Sequence, residues 1–138
     1  MENNSASLVH FANTADITVG TIENTSMLDG STVVDFGSQV IAHIEKNDET
    51  HLLLNFMHVQ YLSSAALTEL IRINDAAEAT GGSMRVCNVS ADIEKVFKIT
   101  NFDKLFDIHS ETLDQCLARY QRAISIKREE DEWSNRKQ

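Results

Sequence analysis

The sequence predicts one α/β domain built on a mixed sheet whose central strands run parallel. Three observations carry that expectation. Short apolar runs of strand length alternate with segments of helical periodicity, the pattern of parallel strands joined by right-handed crossovers. The opening stretch reads as a hairpin, which adds an antiparallel pair. No repeat, linker or low-complexity segment divides the 138 residues, a length near that of one common domain.

LVHFANTADITVGTI, residues 8–22, holds two apolar-rich runs around Asn13-Thr14-Ala15-Asp16. Alternation from Asp16 to Ile22 marks a strand, and the polar stretch before it marks the turn. ENTSMLDGST reads as a loop. Val33, Phe36, Val40, Ile41 and Ile44 then recur at helical spacing, predicting a helix from about Thr32 to Lys46 that ends at Asn47-Asp48-Glu49. HLLLNF is a continuous apolar run, as expected of a strand at the centre of a sheet. Leu67, Leu70, Ile71, Asn74 and Ala77 form the stripe of a second helix, stopped by Gly81-Gly82. SMRVCNV is a further strand. Ser90 can cap a third helix in which Ile93, Val96, Phe97 and Thr100 share a face. KLFDIH reads as a last short strand, and Leu113, Leu117, Tyr120 and Ile124 build a fourth helix. KREEDEWSNRKQ is a charge run with a lone Trp133, read as the frayed end of that helix.

Composition excludes several classes of function. A formal charge of −9 argues against nucleic acid and anionic membrane surfaces, since both demand a basic patch. No apolar run approaches the roughly 20 residues of a membrane span. MENNSASL lacks the basic-then-apolar order of a signal peptide, so a cytoplasmic protein is expected. Cys87 and Cys116 lie in apolar or helical patterns and read as core thiols rather than a redox pair. GxxxxGK[ST], GxGxxG and HExxH are all missing, which leaves no sign of a cofactor or metal site. A Ser64–His58–Asp29 triad can be drawn, giving a small hydrolase as a third-ranked reading, but no GxSxG elbow surrounds the serine.

The stretch VQYLSSAALTEL, residues 59–70, carries the functional question. Two hydroxyls and two alanines stand where a strand gives way to a helix. One serine could simply cap the helix, accepting a bond from an early backbone N–H and contributing about 1 kcal/mol. The other reading is a phosphate acceptor. Free N–H groups and the helix dipole tolerate a doubly negative group there, so phosphorylation would change surface charge without unfolding the domain.

These residues resemble the STAS domain, and within it the bacterial anti-sigma factor antagonists. The likeness covers roughly Leu8 to Leu117 and is gap-free from His51 to Phe106. HLLLNFMHVQYL is similar to the family's central strand and following turn, and GGSMRVCNVSADIEKVFKITNFDKLF to its Gly-Gly, strand, helix and closing strand. Leu28-Asp29 falls where the family commonly has Leu-Asp before its first helix. The family signature at the second helix is Asp-Ser-Ser/Thr-Gly-Leu, with its first Ser as phosphoacceptor. In the gap-free register Ser63 takes the Asp position, Ser64 the acceptor, Ala65 the second hydroxyl, Ala66 the Gly and Leu67 the Leu. Making Ser63 the acceptor would insert a residue inside a helix and rotate its apolar face by about 100°. Ser64 is therefore the expected acceptor and Ser63 the second choice. Two departures stand out: the Asp carboxylate is absent, and Ala66 stiffens the helix start and adds a methyl.

The resemblance implies one STAS domain over residues 8–125, between a disordered N-terminus (1–7) and a charged tail (126–138). It implies a four- to five-stranded mixed sheet with about four helices mainly on one side. The implied function is partner switching in transcription regulation and stress response. The unphosphorylated form binds an anti-sigma factor that is itself a serine kinase. Phosphorylation releases it, and a PP2C-type phosphatase restores it. The chain would be substrate and ligand, not an enzyme, and would need no cofactor. Its expected partner surface is Leu28, Asp29, Tyr61, Leu62, Ser63, Ala65 and Ala66, beside the turn at Val59–Leu62. The alternative is a STAS scaffold without a switch, in a sensor or signalling complex.

Overall fold

The computed structural model describes residues 7–136. Of the N-terminal segment expected to be disordered, all but Ser7 lies outside the described residues. The chain opens with the hairpin of β1 (Val9–Thr14) and β2 (Ile17–Ile22), antiparallel in the register Val9↔Ile22 to Thr14↔Ile17. Next come a two-residue strand β3 (Met27–Leu28), helix α1 (Gly30–Glu45), β4 (His51–Asn55) and a second short strand β5 (Tyr61–Leu62). Helix α2 (Ser64–Ala79), β6 (Ser83–Cys87) and α3 (Ala91–Ile99) follow. A 3-10 turn (Phe102–Lys104), β7 (Asp107–Ile108) and α4 (Leu113–Arg136) complete it.

The main sheet has the order β1-β2-β4-β6-β7, and every pairing after the hairpin is parallel. Side chains alternate across a sheet, and here the alternation separates two cores. Ile22, Leu52, Leu54, Met84 and Val86 join the buried residues of α1, α2 and α3, among them Phe36, Val40, Leu70, Ile73 and Phe97. Ile17, Val19, Leu53 and Cys87 point the other way and meet Cys116, Tyr120 and Ile124 of α4. Both faces of β4 are covered, which is why HLLLN shows no polar alternation.

Helices α2 and α3 are capped by Ser63 and Ser90, whose side chains accept from Ala66 N and Ile93 N. The turn after α2 needs glycine twice. Gly81 adopts φ +86, and a Cβ on Gly82 would overlap the Thr50 carbonyl, which accepts Ser83 N–H at 3.0 Å. Three details differ from expectation. Helix α1 begins at Gly30, because Asp29 is its extended N-cap residue. The last strand is only Asp107–Ile108, since the left-handed Asn101 (φ 63) starts a 3-10 turn through the residues before it. The tail, expected from residue 126 as a frayed helix end, is helical as far as Arg136 at the end of α4, with i,i+4 pairs Lys127–Asp131 at 3.6 Å and Glu132–Arg136 at 3.9 Å.

Candidate functional site

The carboxyl ends of the parallel strands and the amino ends of α1 and α2 share one edge of the sheet. What binds them together there is a pair of short strands that the sequence does not announce. β3 pairs parallel with β5, Met27 opposite Tyr61 and Leu28 opposite Leu62. Gln60 N donates to Ser26 O at 2.8 Å and Ser63 N to Leu28 O at 3.0 Å. Helices α1 and α2 therefore start side by side, each one residue after a paired leucine is followed by its N-cap residue, Asp29 or Ser63.

The two serines divide two roles between them. Ser63 is extended (φ −88, ψ 168), and its Oγ accepts from Ala66 N at 3.2 Å. Its hydroxyl is occupied by the helix end. Ser64 is the first residue of α2, exposed, and its hydroxyl makes no hydrogen bond among the described residues. No acidic residue lies in the first turn of α2. The positive end of its dipole is thus uncompensated from within the helix, a setting favourable to an added anion. Asp29, half-buried, makes no side-chain capping bond to its own helix.

The other expected partner residues separate by burial. Tyr61 is 49% exposed and Ala65 is exposed. Leu28, Leu62 and Ala66 are buried, so their side chains belong to the core. Beside Tyr61 the structure exposes Met27 (49%), and the loop after β4 exposes Met57. Val34, four residues into α1, is exposed as well. Of these, Met27 and Tyr61 stand opposite one another across the β3–β5 pair. Met27, Val34 and Met57 carry no motif in the sequence; only strand pairing and helix phase reveal them.

Buried Asn55 supports the site from below and was not singled out by the sequence. Its Oδ1 accepts from Asn88 Nδ2 at 2.7 Å and Met57 N at 3.2 Å, and its Nδ2 donates to Thr21 Oγ1 at 3.3 Å. One side chain so joins β2, β4 and the turn after β6, and sets the start of the loop leading to Ser64. A polar residue closing an apolar run was the available signal.

The triad drawn from Ser64, His58 and Asp29 is not assembled: no hydrogen bond joins any two of them, and His58 and Ser64 are exposed. Among the described residues no cluster of three or more His, Cys, Asp or Glu could hold a metal, and no helix is long and apolar enough to cross a membrane. Cys87 and Cys116 are buried against one another. Burial, reinforced by the neighbouring thiol, pushes the Cys87 thiol up to about 12.

Comparison with known proteins gives the same fold. An anti-sigma factor antagonist, SpoIIAA in its unphosphorylated form, is 17% identical with a TM-score of 0.68, over 82% of this chain and 96% of that one. A serine-to-glutamate variant of RsbS from Moorella thermoacetica is 18% identical with a TM-score of 0.70, over 86% and 99%. The murine anion transporter Slc26a9 contains a similar unit: 14% identity and a TM-score of 0.67, over 80% of this chain and 18% of the transporter. The STAS domain model matches residues 13–115, which span the main sheet from the end of β1 to the start of α4. On that match, this chain belongs to the STAS domain family.

Proposed function

We propose that this chain is an anti-sigma factor antagonist that works by partner switching in the cytoplasm, with Ser64 as its phosphoacceptor. The observation that carries the reading is the division of labour between the serines. Ser63 is held as the cap of α2, while Ser64 presents an unengaged hydroxyl at the same helix end. Exposed Met27 and Tyr61 adjoin it across the β3–β5 pair and offer apolar surface to a protein partner.

In this reading the unphosphorylated face docks on a kinase-type anti-sigma factor and frees a sigma factor. The kinase transfers the γ-phosphoryl of ATP to Ser64, and a PP2C-type phosphatase removes it. Phosphate adds about −1.5 to −2 charges. On a surface that must lose water to bind, that group opposes docking by desolvation, and Asp29 adds repulsion. The chain is ligand and substrate in this cycle, with no cofactor of its own.

The test is intact mass and peptide mapping after incubation with ATP and each kinase-type anti-sigma factor encoded in the same genome. One phosphate on Ser64 is expected. Ser64→Ala should bind the kinase and resist release, Ser64→Asp should bind weakly, and Ser63→Ala should still accept phosphate. Phosphate on Ser63 would place the register one residue off. Binding without phosphate would favour the second reading, a STAS scaffold with no switch. Ala66 in the place of the family glycine, and the likeness to a transporter's domain, point that way.

A further inference from the structure

The opposite end of the sheet holds a cleft of about 580 Å³ between α4, the 3-10 turn and the amino ends of β4 and β6. A chain of four hydrogen-bonded side chains runs along its wall. Glu49 Oε2 lies 2.6 Å from His51 Nε2, His51 Nδ1 lies 3.0 Å from Ser83 Oγ, and Ser83 Oγ lies 2.5 Å from Tyr120 OH. All four residues line the cleft.

Hydrogen-bond chemistry gives this chain a direction. An ionised Glu49 can only accept, so His51 Nε2 donates to it. With a single ring proton, carried on Nε2, Nδ1 is the acceptor for the Ser83 hydroxyl. Ser83 Oγ in turn accepts from Tyr120, whose burial pushes its pKa up to about 12 and keeps its proton in place. Arg128 lies 3.8 Å from Glu49, and the Arg85 guanidinium sits 4.7 Å above the Tyr120 ring, held by Asp107 at 3.2 Å. Tying α4 to the sheet would require only the Ser83–Tyr120 bond. The imidazole, with 12% of its side chain exposed, and the carboxylate behind it extend the chain into the arrangement of a nucleophile, its base and the group that orients the base.

We propose that Ser83 is an activated nucleophile and that this cleft hydrolyses small uncharged esters, with His51 as general base and Glu49 as its positioning residue. Ser83 Oγ bonds to the acyl carbon as its proton passes to His51 Nδ1. The tetrahedral oxyanion takes the hydrogen bond that Tyr120 releases. The C–O bond to the leaving alcohol breaks, and the alcohol departs with the proton from His51. Water then attacks the acyl carbon, its proton passing through His51 back to Ser83 as the carboxylic acid leaves. The lining carries both signs of charge, Lys104, Lys127 and Arg128 together with Asp103, Asp107 and Asp131, so no single sign is selected. Leu105, Phe106 and Ile124 offer apolar contact for a short acyl group.

The experiment treats the full chain with a fluorophosphonate probe, maps the adduct by mass, and follows p-nitrophenyl acetate turnover. The adduct is expected on Ser83, with several equivalents of p-nitrophenol released per chain. His51→Gln should slow adduct formation by about 10²–10⁴-fold. Imidazole ¹⁵N shifts should place the His51 proton on Nε2 in the wild type, and Glu49→Gln should remove that preference and slow labelling. An adduct elsewhere or none, a single equivalent without turnover, or wild-type labelling of His51→Gln each overturns the proposal. The mapping uses the wild-type chain, so it holds even if a variant fails to fold. No kinase or anti-sigma factor enters, so the outcome is independent of the switch.

Discussion

Replacing Ser63 and Ser64 one at a time by Ala separates the two hydroxyls that the sequence presents as equals. N-cap Ser→Ala changes cost about 0.5–2 kcal/mol. Here the Ala66 N–H is shared between Ser63 Oγ at 3.2 Å and Ser63 O at 3.0 Å. Removing the hydroxyl therefore does not orphan the donor, and the loss should fall in the lower part of that range, about 0.5–1 kcal/mol. For a domain of this size that is a fall in Tm of about 2–5 °C. Ser64→Ala removes an exposed hydroxyl with no partner among the described residues and installs the best helix former. It should stay within about 0.5 kcal/mol of wild type. Ser63→Asp restores the residue implied by the family resemblance; it keeps a cap and adds a charge to the helix dipole, a gain of about 0.3–1 kcal/mol that salt reduces. Urea unfolding read by far-UV circular dichroism measures all three, with an unchanged m-value showing that only stability has moved. A Ser64→Ala cost equal to or above that of Ser63→Ala would refute the assignment of the cap, and with it the argument that Ser64 is the free hydroxyl.

Phe97 is fully buried, with its ring centroid 6.3 Å from that of Phe56, so Phe97→Ala should cost about 3–5 kcal/mol in the same assay. Gly82→Ala drives a Cβ into the Thr50 carbonyl, a backbone atom that cannot rotate away, and should lose about 1–3 kcal/mol, whereas exposed Gly81 tolerates only the residues that accept φ +86. Deleting Lys127 to Gln138 removes exposed helix and the Arg128–Asp16 pair at 2.8 Å, so a small, salt-sensitive loss in thermal stability is expected at neutral pH. Hydrogen bonds from Gln121 and Arg128 hold the Asp16 carboxyl below its usual 3.8; the stabilisation is present above the unfolded value and disappears as pH falls through the folded one, so Arg128→Ala and wild type should converge in stability in strong acid. Burial raises the pKa of both thiols, so Ellman's reagent should find no fast-reacting cysteine in the native chain and two after unfolding.

Periodicity alone was enough to locate the hairpin, all four helices and the central strand, because each of these buries a face whose spacing is written locally. The Gly81-Gly82 stop and the Ser90 cap were legible for the same reason: one residue's conformation or side chain does the work. The expected domain class followed, together with the stretch that carries Ser63 and Ser64. Which serine is free did not follow from composition, since both are equally hydroxylated; it took the extended backbone of Ser63 to aim one Oγ at Ala66 N. The β3–β5 pair was invisible because two-residue strands have no period. Met27 and Leu28 meet Tyr61 and Leu62 across more than thirty intervening residues only once α1 has packed against α2. Tertiary structure likewise set α4 on the far face of the sheet, a choice that helical amphipathicity cannot make, because an apolar stripe does not say which sheet face it will cover. The Glu49–His51–Ser83–Tyr120 chain has the same origin: its members lie on two parallel strands, the bend before one of them and a distant helix, and hydrogen-bond geometry among them exists only after the strand register and the position of α4 are both decided.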